Sequence, residues 1–245
     1  MRYYRITQSY ESKNTGEQEF IKDFINMQGL NNPGGLGNLP QGERVLIDPI
    51  IPVHVVNNRA KINDFHLTGG PLGNRFLISE NLKRKFSEFR EGLFQFFPVA
   101  IIQGEKKIDG YWVTHILQYD TNQIDFKRTQ FIYQKSRKIS KPFYPSEFEN
   151  SEEKIEFESW DSFQAFSKNE LTYLDSLTAI NPKINISNPY PIIAFRGVGI
   201  NDLIIKEEVM KILEEERFIG LEYWPLEIPD EEWYGPNGLR KQFYE

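Results

Sequence analysis

Two distant segments of this chain repeat one order of residue types. The segment 76–101 reads as an apolar strand, an amphipathic helix, a glycine turn and a strand with a proline, and the segment 203–228 repeats that order. A helix of about ten residues is marginal alone in water, so each segment needs a sheet to cover its apolar side. The repetition predicts two similar strand–helix–strand units. Chance recurrence of a pattern common in α+β proteins is the alternative interpretation.

The first unit has a clear helix start. Ser79 is a candidate N-cap, and Leu82, Phe86 and Phe89 fall on one helical face before the turn at Gly92. This pattern predicts a helix that begins after Ser79, between two apolar strands.

The second unit has a matching apolar face. Val209, Ile212 and Leu213 are predicted to point inward, and Gly220 marks the turn before the last strand. Leu82 corresponds to Val209 and Phe86 to Leu213, at equal separations in the sequence.

The N-terminal third combines strand and turn signals. Residues 2–10 read as a strand, and Phe20, Phe24 and Met27 have the spacing of a short amphipathic helix. Residues 28–42 are rich in Gly, Pro and Asn, which is typical of a loop. The stretch 44–56 predicts two short edge strands, because its prolines remove ladder donors.

The region between the two units predicts further strands and helices. Residues 110–120 and 128–135 alternate as neighbouring antiparallel strands would, and 160–177 predicts one or two helices with a capping box at 167–170. Residues 192–197 read as a strand that leads into the second unit.

These elements predict an α+β fold of mainly antiparallel sheet with helices packed on it. The expected organisation is an N-terminal strand, helix and loop extension at 1–75, a main domain at 76–228 and a tail at 229–245. The tail has too many turn residues for a long element, and its aromatic side chains are expected to dock on the body.

Composition narrows the possible functions. The chain of 245 residues has no cysteine and a net charge of −6. Disulfides and thiolate metal sites are therefore excluded, and binding to a nucleic-acid backbone is disfavoured. The N-terminus lacks the apolar region of a signal peptide, and no apolar run approaches the ~18 residues of a membrane span. We expect a cytoplasmic protein that binds neither membrane nor nucleic acid.

No residue set predicts catalysis, a cofactor or a metal. His115 shares a strand face with apolar residues and is predicted to be a hydrogen-bonded core histidine rather than a functional residue. For His54 the same two interpretations are open. Asp64 and His66 form a D-x-H pair, which is too few ligands for a metal site. The glycines at 34–42 lack the lysine and helix of a phosphate-binding loop, so a mobile surface loop is expected.

An acidic, aromatic segment is the best candidate for partner binding. Dense carboxylates are most simply a solvated loop, two of them could serve a glycosidase, and the segment could also meet a basic partner. In the partner interpretation aromatic anchors supply affinity and the charges raise the association rate. The candidate contact residues are Glu147, Glu149, Glu152, Glu153, Glu156, Glu158 and Trp160.

The chain resembles a family of bacterial immunity proteins, number eleven of the polymorphic-toxin classification, over residues 76–227. The likeness rests on "LISENLKRKF" with "FQFFPVAI", on "GYWVTHILQYDTNQIDFKRTQF" and on "IIAFRGVGINDLIIKEEVMKILEEERFIGLEYWPLE". One departure is Lys206, which stands where the family tends to place a serine, so the second helix is expected to lack its cap.

The resemblance implies a protein that neutralises a cognate toxin by direct binding, without catalysis or cofactor. One alternative is an enzyme acting on a small molecule or a toxin-derived modification, with a pocket that gathers His54, His66 or His115 beside a carboxylate. The other is a non-catalytic scaffold or oligomer-forming protein.

Overall fold

The computed structural model describes residues 2–9, 11, 20–26, 32–68, 72–73, 75–139, 147–185, 187–199 and 202–244. The strands of these ranges are β1 (Tyr3–Gln8), β2 (Ile21–Ile25), β3 (Val53–Val56), β4 (Phe65–Leu67), β5 (Phe76–Ser79), β6 (Phe94–Gln103), β7 (Lys106–Ile116), β8 (Gln130–Ile139), β9 (Glu147–Ile155), β10 (Ser176–Ile180), β11 (Ile192–Ala194), β12 (Leu203–Lys206) and β13 (Leu221–Pro225). The helices are α1 (Glu80–Phe89), α2 (Trp160–Asn169), α3 (Glu207–Glu215), α4 (Asp230–Tyr234) and α5 (Arg240–Tyr244). None of these helices has the length and apolar character needed to cross a membrane.

The strands form three sheets, and the fold is α+β with mainly antiparallel pairing, as predicted. The six-stranded sheet has the order β2-β3-β6-β7-β5-β4, the four-stranded sheet β11-β12-β1-β13 and the three-stranded sheet β10-β8-β9. Among the described strands, only β3 and β6 pair in parallel.

The four-stranded sheet is buried on both faces. On β12, Leu203 and Ile205 enter the core shared with α1 and α3, whereas Ile204 enters a second core with α2 and the three-stranded sheet. Successive side chains of a strand point to opposite faces, so a continuous apolar run suits a strand covered on both sides. The run "LII" is therefore explained by its place between two layers.

The six-stranded sheet follows the same rule. On β5, Phe76 and Ile78 enter the core shared with α1 and α3, and Leu77 enters a third core on the opposite face. The central core thus lies between the two larger sheets. Both helices of the strand–helix–strand segments contribute to it.

Helix α1 begins as predicted. The Ser79 hydroxyl accepts a hydrogen bond from the Leu82 amide, and Leu82 and Phe86 are buried. In α3, Val209 and Leu213 are buried, but Ile212 is exposed, so its predicted inward position is wrong. Lys206 makes no side-chain cap, as expected.

The two segments share a topology. Strands β5 and β6 run parallel to each other with antiparallel β7 between them, and β12 and β13 run parallel with antiparallel β1 between them. Strand β1, from the N-terminal region, thus completes the second segment. The duplication of one unit stays a prediction, as does the division at residues 75 and 228.

Two predictions for the N-terminal region are wrong. The helix expected at Phe20 and Phe24 is strand β2, because its backbone pairs with β3; Met27 lies outside the described residues. The stretch 44–56 forms one strand, β3, and this strand is internal rather than at an edge. Pro52 directly precedes β3, so no ladder hydrogen bond is lost.

Two predictions for the middle region are also wrong. Strands β7 and β8 belong to different sheets, since β8 pairs with β9 and β10. Helix α2 begins at Trp160 with a capping box formed by Ser159 and Ser162, so the box expected at 167–170 lies near its end. The strand predicted at 192–197 is confirmed as β11, but it ends at Ala194.

Asp64 joins the two strand–helix–strand segments at the start of α1. Its carboxylate accepts hydrogen bonds from the Ser79 hydroxyl at 2.6 Å and from the Ile219 amide at 2.9 Å. The neighbouring Gly220 has φ +92°, and a Cβ there would lie 2.7 Å from Asn63 Cβ. The turn can therefore approach Asp64 this closely only with glycine at 220.

A buried ion pair makes the second join at the other end of α1. The Arg90 guanidinium binds both carboxylate oxygens of Asp120 at 2.6 and 2.9 Å. Arg90 also donates to the Ile192 carbonyl, and Asp120 accepts from the Ala194 amide of β11. The pair therefore ties α1 to the four-stranded sheet.

Trp233 of the C-terminal tail docks on the body, as expected, whereas Tyr234 and Phe243 are exposed. Trp233 of α4 is 1% exposed and stacks on Trp224 of β13. Arg240 of α5 forms a paired contact with the buried Glu222 at 2.6 and 2.9 Å. The tail is thus fixed by both apolar and ionic contacts.

Replacing Asp120 should strongly destabilise the protein. Asp120→Asn would leave the Arg90 cation buried without its counter-charge, and we expect the free energy of unfolding to fall by about 3–5 kcal/mol. Denaturation in urea measures this change. The control is Asp109→Asn, which breaks an exposed pair with Lys107 and should leave stability near that of the wild type. Equal losses in the two variants would contradict the role of the buried pair.

Candidate functional site

The acidic candidate residues lie on an edge strand and in the connection to α2. The expected loop is wrong in part, because Glu147, Glu149, Glu152 and Glu153 belong to β9, which pairs with β8 along its whole length. The side chain of Glu147 lies outside the described part of the chain. Among the described strands, β9 pairs with β8 alone, so it lies at the edge of the three-stranded sheet.

The strand geometry distributes these carboxylates over two faces. Because side chains alternate along a strand, Glu149 and Glu153 share one face and Glu152 takes the other. Glu156 and Glu158 follow the strand, and all five side chains are exposed. The structure therefore presents an acidic rim around β9 rather than one flat acidic surface.

Basic residues neutralise part of this rim. Glu153 lies 4.0 Å from Lys135, and Glu158 lies 3.1 Å from Lys127. Within the described ranges, neither Glu152 nor Glu156 forms an ion pair. Their charges remain available to a partner.

Trp160 differs from the acidic residues in its surroundings. It is half-buried at the start of α2, and its ring stacks on Phe163 and packs against Phe126. Its exposed part lies in a groove with Arg196 and Gly197, not on the acidic rim.

The three histidines are core residues, each 0% exposed. His115 bonds to Arg75 and to the Glu43 carbonyl, which confirms the core interpretation. His54 bonds to the Pro52 carbonyl, and His66 accepts from the Asn63 amide. Among the hydrogen bonds of the described residues, none joins these rings to a carboxylate.

The D-x-H pair does not form a ligand set. The Asp64 carboxylate binds Ser79 and Ile219, whereas the His66 ring stacks on Phe20 at 3.3 Å between centroids. Across the residues that the structure describes, no group of three His, Asp or Glu side chains is placed to hold a metal ion.

Burial shifts the pKa values of the histidines downward. It lowers the pKa of His54 to about 4, against a weaker raising effect of the bond to the Pro52 carbonyl, and it lowers the pKa of His66 to about 3. The pKa of His115 is also lowered, first by burial and further by the Arg75 charge, while its bond to the Glu43 carbonyl opposes the shift. The rings are therefore neutral at pH 7.

The glycine-rich stretch is anchored to the body rather than purely a surface loop. Leu36 is fully buried, and the backbones of Gly34 and Leu36 exchange hydrogen bonds with Ile50. A short 3-10 turn spans Leu36–Asn38, although the residues before 32 lie outside the described part. This stretch forms one wall of a cavity of about 330 Å³.

Residues from four parts of the chain surround the cavity. Of the described residues, two arginines and no carboxylate line it. The other walls are apolar or neutral. The lining is made by residues 37–41, Gly73, Arg75, Ile116, Tyr119, Phe195 and Arg196.

Arg75 is the buried cation of this cavity. Only 3% of the residue is exposed, and its guanidinium donates to the carbonyls of Leu72 and Leu39 and contacts His115 Nδ1 at 3.2 Å. Its Nε atom is buried without a hydrogen-bond partner among the described residues. Burial lowers the pKa of Arg75 to about 10, which still leaves the side chain charged at pH 7.

Arg196 is the exposed cation at the mouth of the cavity. Its guanidinium lies 5.5 Å from the centre of the Tyr119 ring and donates to the Gln41 carbonyl at 3.4 Å. Tyr119 and Arg196 also line the adjoining groove that contains Trp160. The cavity and the groove are therefore adjacent, with these two residues between or beside them.

Sequence reasoning missed the cavity lined by Arg75 and Arg196. Its only sequence signal was the glycine-rich stretch, which lacks a phosphate-binding pattern. Arg75 and Arg196 lie far apart in the chain and only the fold brings them to one cavity.

Comparisons with protein-family models and with curated proteins found no match to this chain.

The buried histidines should make stability depend on pH. Between the unfolded pKa near 6.5 and the lowered folded values, the unfolded chain binds more protons, so stability falls as pH decreases. Each such histidine should lower the free energy of unfolding by about 2 kcal/mol as the pH falls from 6.5 to 5. His66→Gln should remove one histidine's share of this loss, measured by urea denaturation across that range.

The control for this experiment is Leu67→Gln, at the exposed neighbouring position on β4. It introduces the same side chain without removing a titrating group and should keep the full dependence. If the free energy of unfolding of His66→Gln depended on pH as strongly as that of the wild type, the lowered pKa of His66 would be contradicted.

Proposed function

We propose that this chain is an immunity protein that protects its bacterium by binding a cognate toxin in the cytoplasm. Two observations support the proposal: the sequence resemblance over residues 76–227, and the exposed acidic rim of β9. The acidic rim is the main structural support for the proposal, because the rim offers a charged surface to a protein partner. Catalysis and a cofactor have no place in this proposal.

The rim suits a basic partner. Exposed carboxylates on a protein of net charge −6 attract a basic surface and raise the association rate. The edge of β9 that has no strand partner among the described residues adds backbone donors and acceptors that a partner strand could use. A stable complex would bury about 1,600 Å² in total.

Co-expression with the toxin candidate encoded beside this chain tests the proposal. We expect cells to survive and the two proteins to purify together. Survival without a complex would favour the enzyme alternative, and continued toxicity would refute the proposed role. A large self-complementary assembly without toxin binding would instead favour the scaffold alternative.

Charge reversal tests the rim itself. Glu152→Lys, Glu153→Lys and Glu156→Lys together should slow association with the toxin at least about tenfold in low salt, because steering depends on these charges. Stopped-flow mixing or surface plasmon resonance measures the rate.

The matched control reverses three exposed glutamates of α3. Glu208→Lys, Glu214→Lys and Glu215→Lys change the net charge equally at another place on the surface. Its association rate should stay closer to that of the wild type. Equal slowing in both variants would assign the effect to net charge and remove the rim from the interface.

A further inference from the structure

We propose that the cavity lined by Arg75 and Arg196 binds a small molecule that carries a carboxylate or phosphate group. This site lies outside the acidic rim, and the proposal does not depend on the toxin-binding function. It rests on three observations: Arg75 has no carboxylate partner among the described residues, two arginines and no described carboxylate line the cavity, and the cavity has the size of a small-molecule site.

Within the described residues, Arg75 lacks the carboxylate partner that other buried or half-buried arginines have. Arg90 binds Asp120, Arg240 binds Glu222, and Arg5 lies 3.5 Å from Asp230. Arg75 is as buried as Arg90, yet its partners among the described residues are two carbonyl oxygens and a neutral imidazole. A buried charge is costly unless it is paired, so the site favours an added anion.

Arg196 supplies a second cation to the same cavity. Its side chain is exposed, and its guanidinium bonds to two neutral groups, the Gln41 carbonyl and the Tyr119 side chain. A guanidinium has five donors in a planar fork that matches the oxygens of a carboxylate or phosphate. Two such groups at one cavity make an oxyanion the complementary ligand.

The volume and the lining of the cavity also limit the size and chemical character of the rest of the ligand. A volume of about 330 Å³ is in the range of small-molecule sites and too small for a folded partner. Ile116, Phe195 and Leu39 provide apolar wall, while Tyr119 lies beside Arg196. The expected ligand is therefore a small molecule with one anionic group and a body that can contact both polar and apolar wall.

Titration with two probes identifies the anion. Inorganic phosphate and benzoate are added separately to the purified chain, with sodium chloride at equal ionic strength as the reference, and binding is followed by calorimetry and by thermal unfolding. We expect saturable binding and a raised melting temperature with at least one probe, because a ligand that binds only the folded state stabilises it. Preference for phosphate or for benzoate distinguishes the two anion classes.

Variants of the two arginines assign the site. Arg196→Gln should weaken binding at least about tenfold, since a charge-assisted hydrogen bond is lost. Arg84→Gln, an equal change on an exposed arginine of α1, should leave binding unchanged. Arg75→Lys keeps the charge but loses the fork, and should also weaken binding if the variant folds.

The proposal fails if neither probe binds saturably, or if Arg196→Gln binds as tightly as Arg84→Gln. Because Arg196 is exposed, its replacement leaves the fold intact, and the test does not depend on the buried Arg75 variant. Loss of probe binding with intact toxin binding would separate this site from the proposed immunity function.

Discussion

The buried pair of Arg90 and Asp120 connects the two larger sheets at the end of helix α1. Its hydrogen bonds to β11 leave neither charge without a partner, so the cost of burying the pair is offset by geometry. At the other end of α1, Asp64 joins the Ser79 cap to the turn before β13. Helix α1 is thus held at both ends by an aspartate, and these contacts set how the two strand–helix–strand segments meet around the central core.

The elements that the sequence predicted well are those whose local signals agree with their surroundings. Ser79 caps α1 because its hydroxyl reaches the Leu82 amide, a contact within one turn of chain. The run "LII" at 203 is a strand because both of its faces are covered. Local chemistry and tertiary burial favour the same conformation there, and such agreement makes a segment predictable.

The errors occur where pairing with a distant strand decides the outcome. The spacing of Phe20 and Phe24 fits a helix, but the backbone of β2 pairs with β3 about thirty residues away. The acidic β9 is poor in strand-forming residues, yet it pairs with β8 over nine positions and lies at an edge, where charged side chains meet water. Short sequence windows contain no information on such partners.

The cavity shows that the pairing of charged residues is equally hard to predict from the sequence. A sequence gives the number of basic and acidic residues, but the fold decides which of them pair. Arg5, Arg90 and Arg240 come near carboxylates from distant parts of the chain, whereas Arg75 has no such neighbour among the described residues. An unmatched buried cation is a departure from the rule that the rest of the molecule follows, and departures of this kind are expected where a protein binds something outside itself.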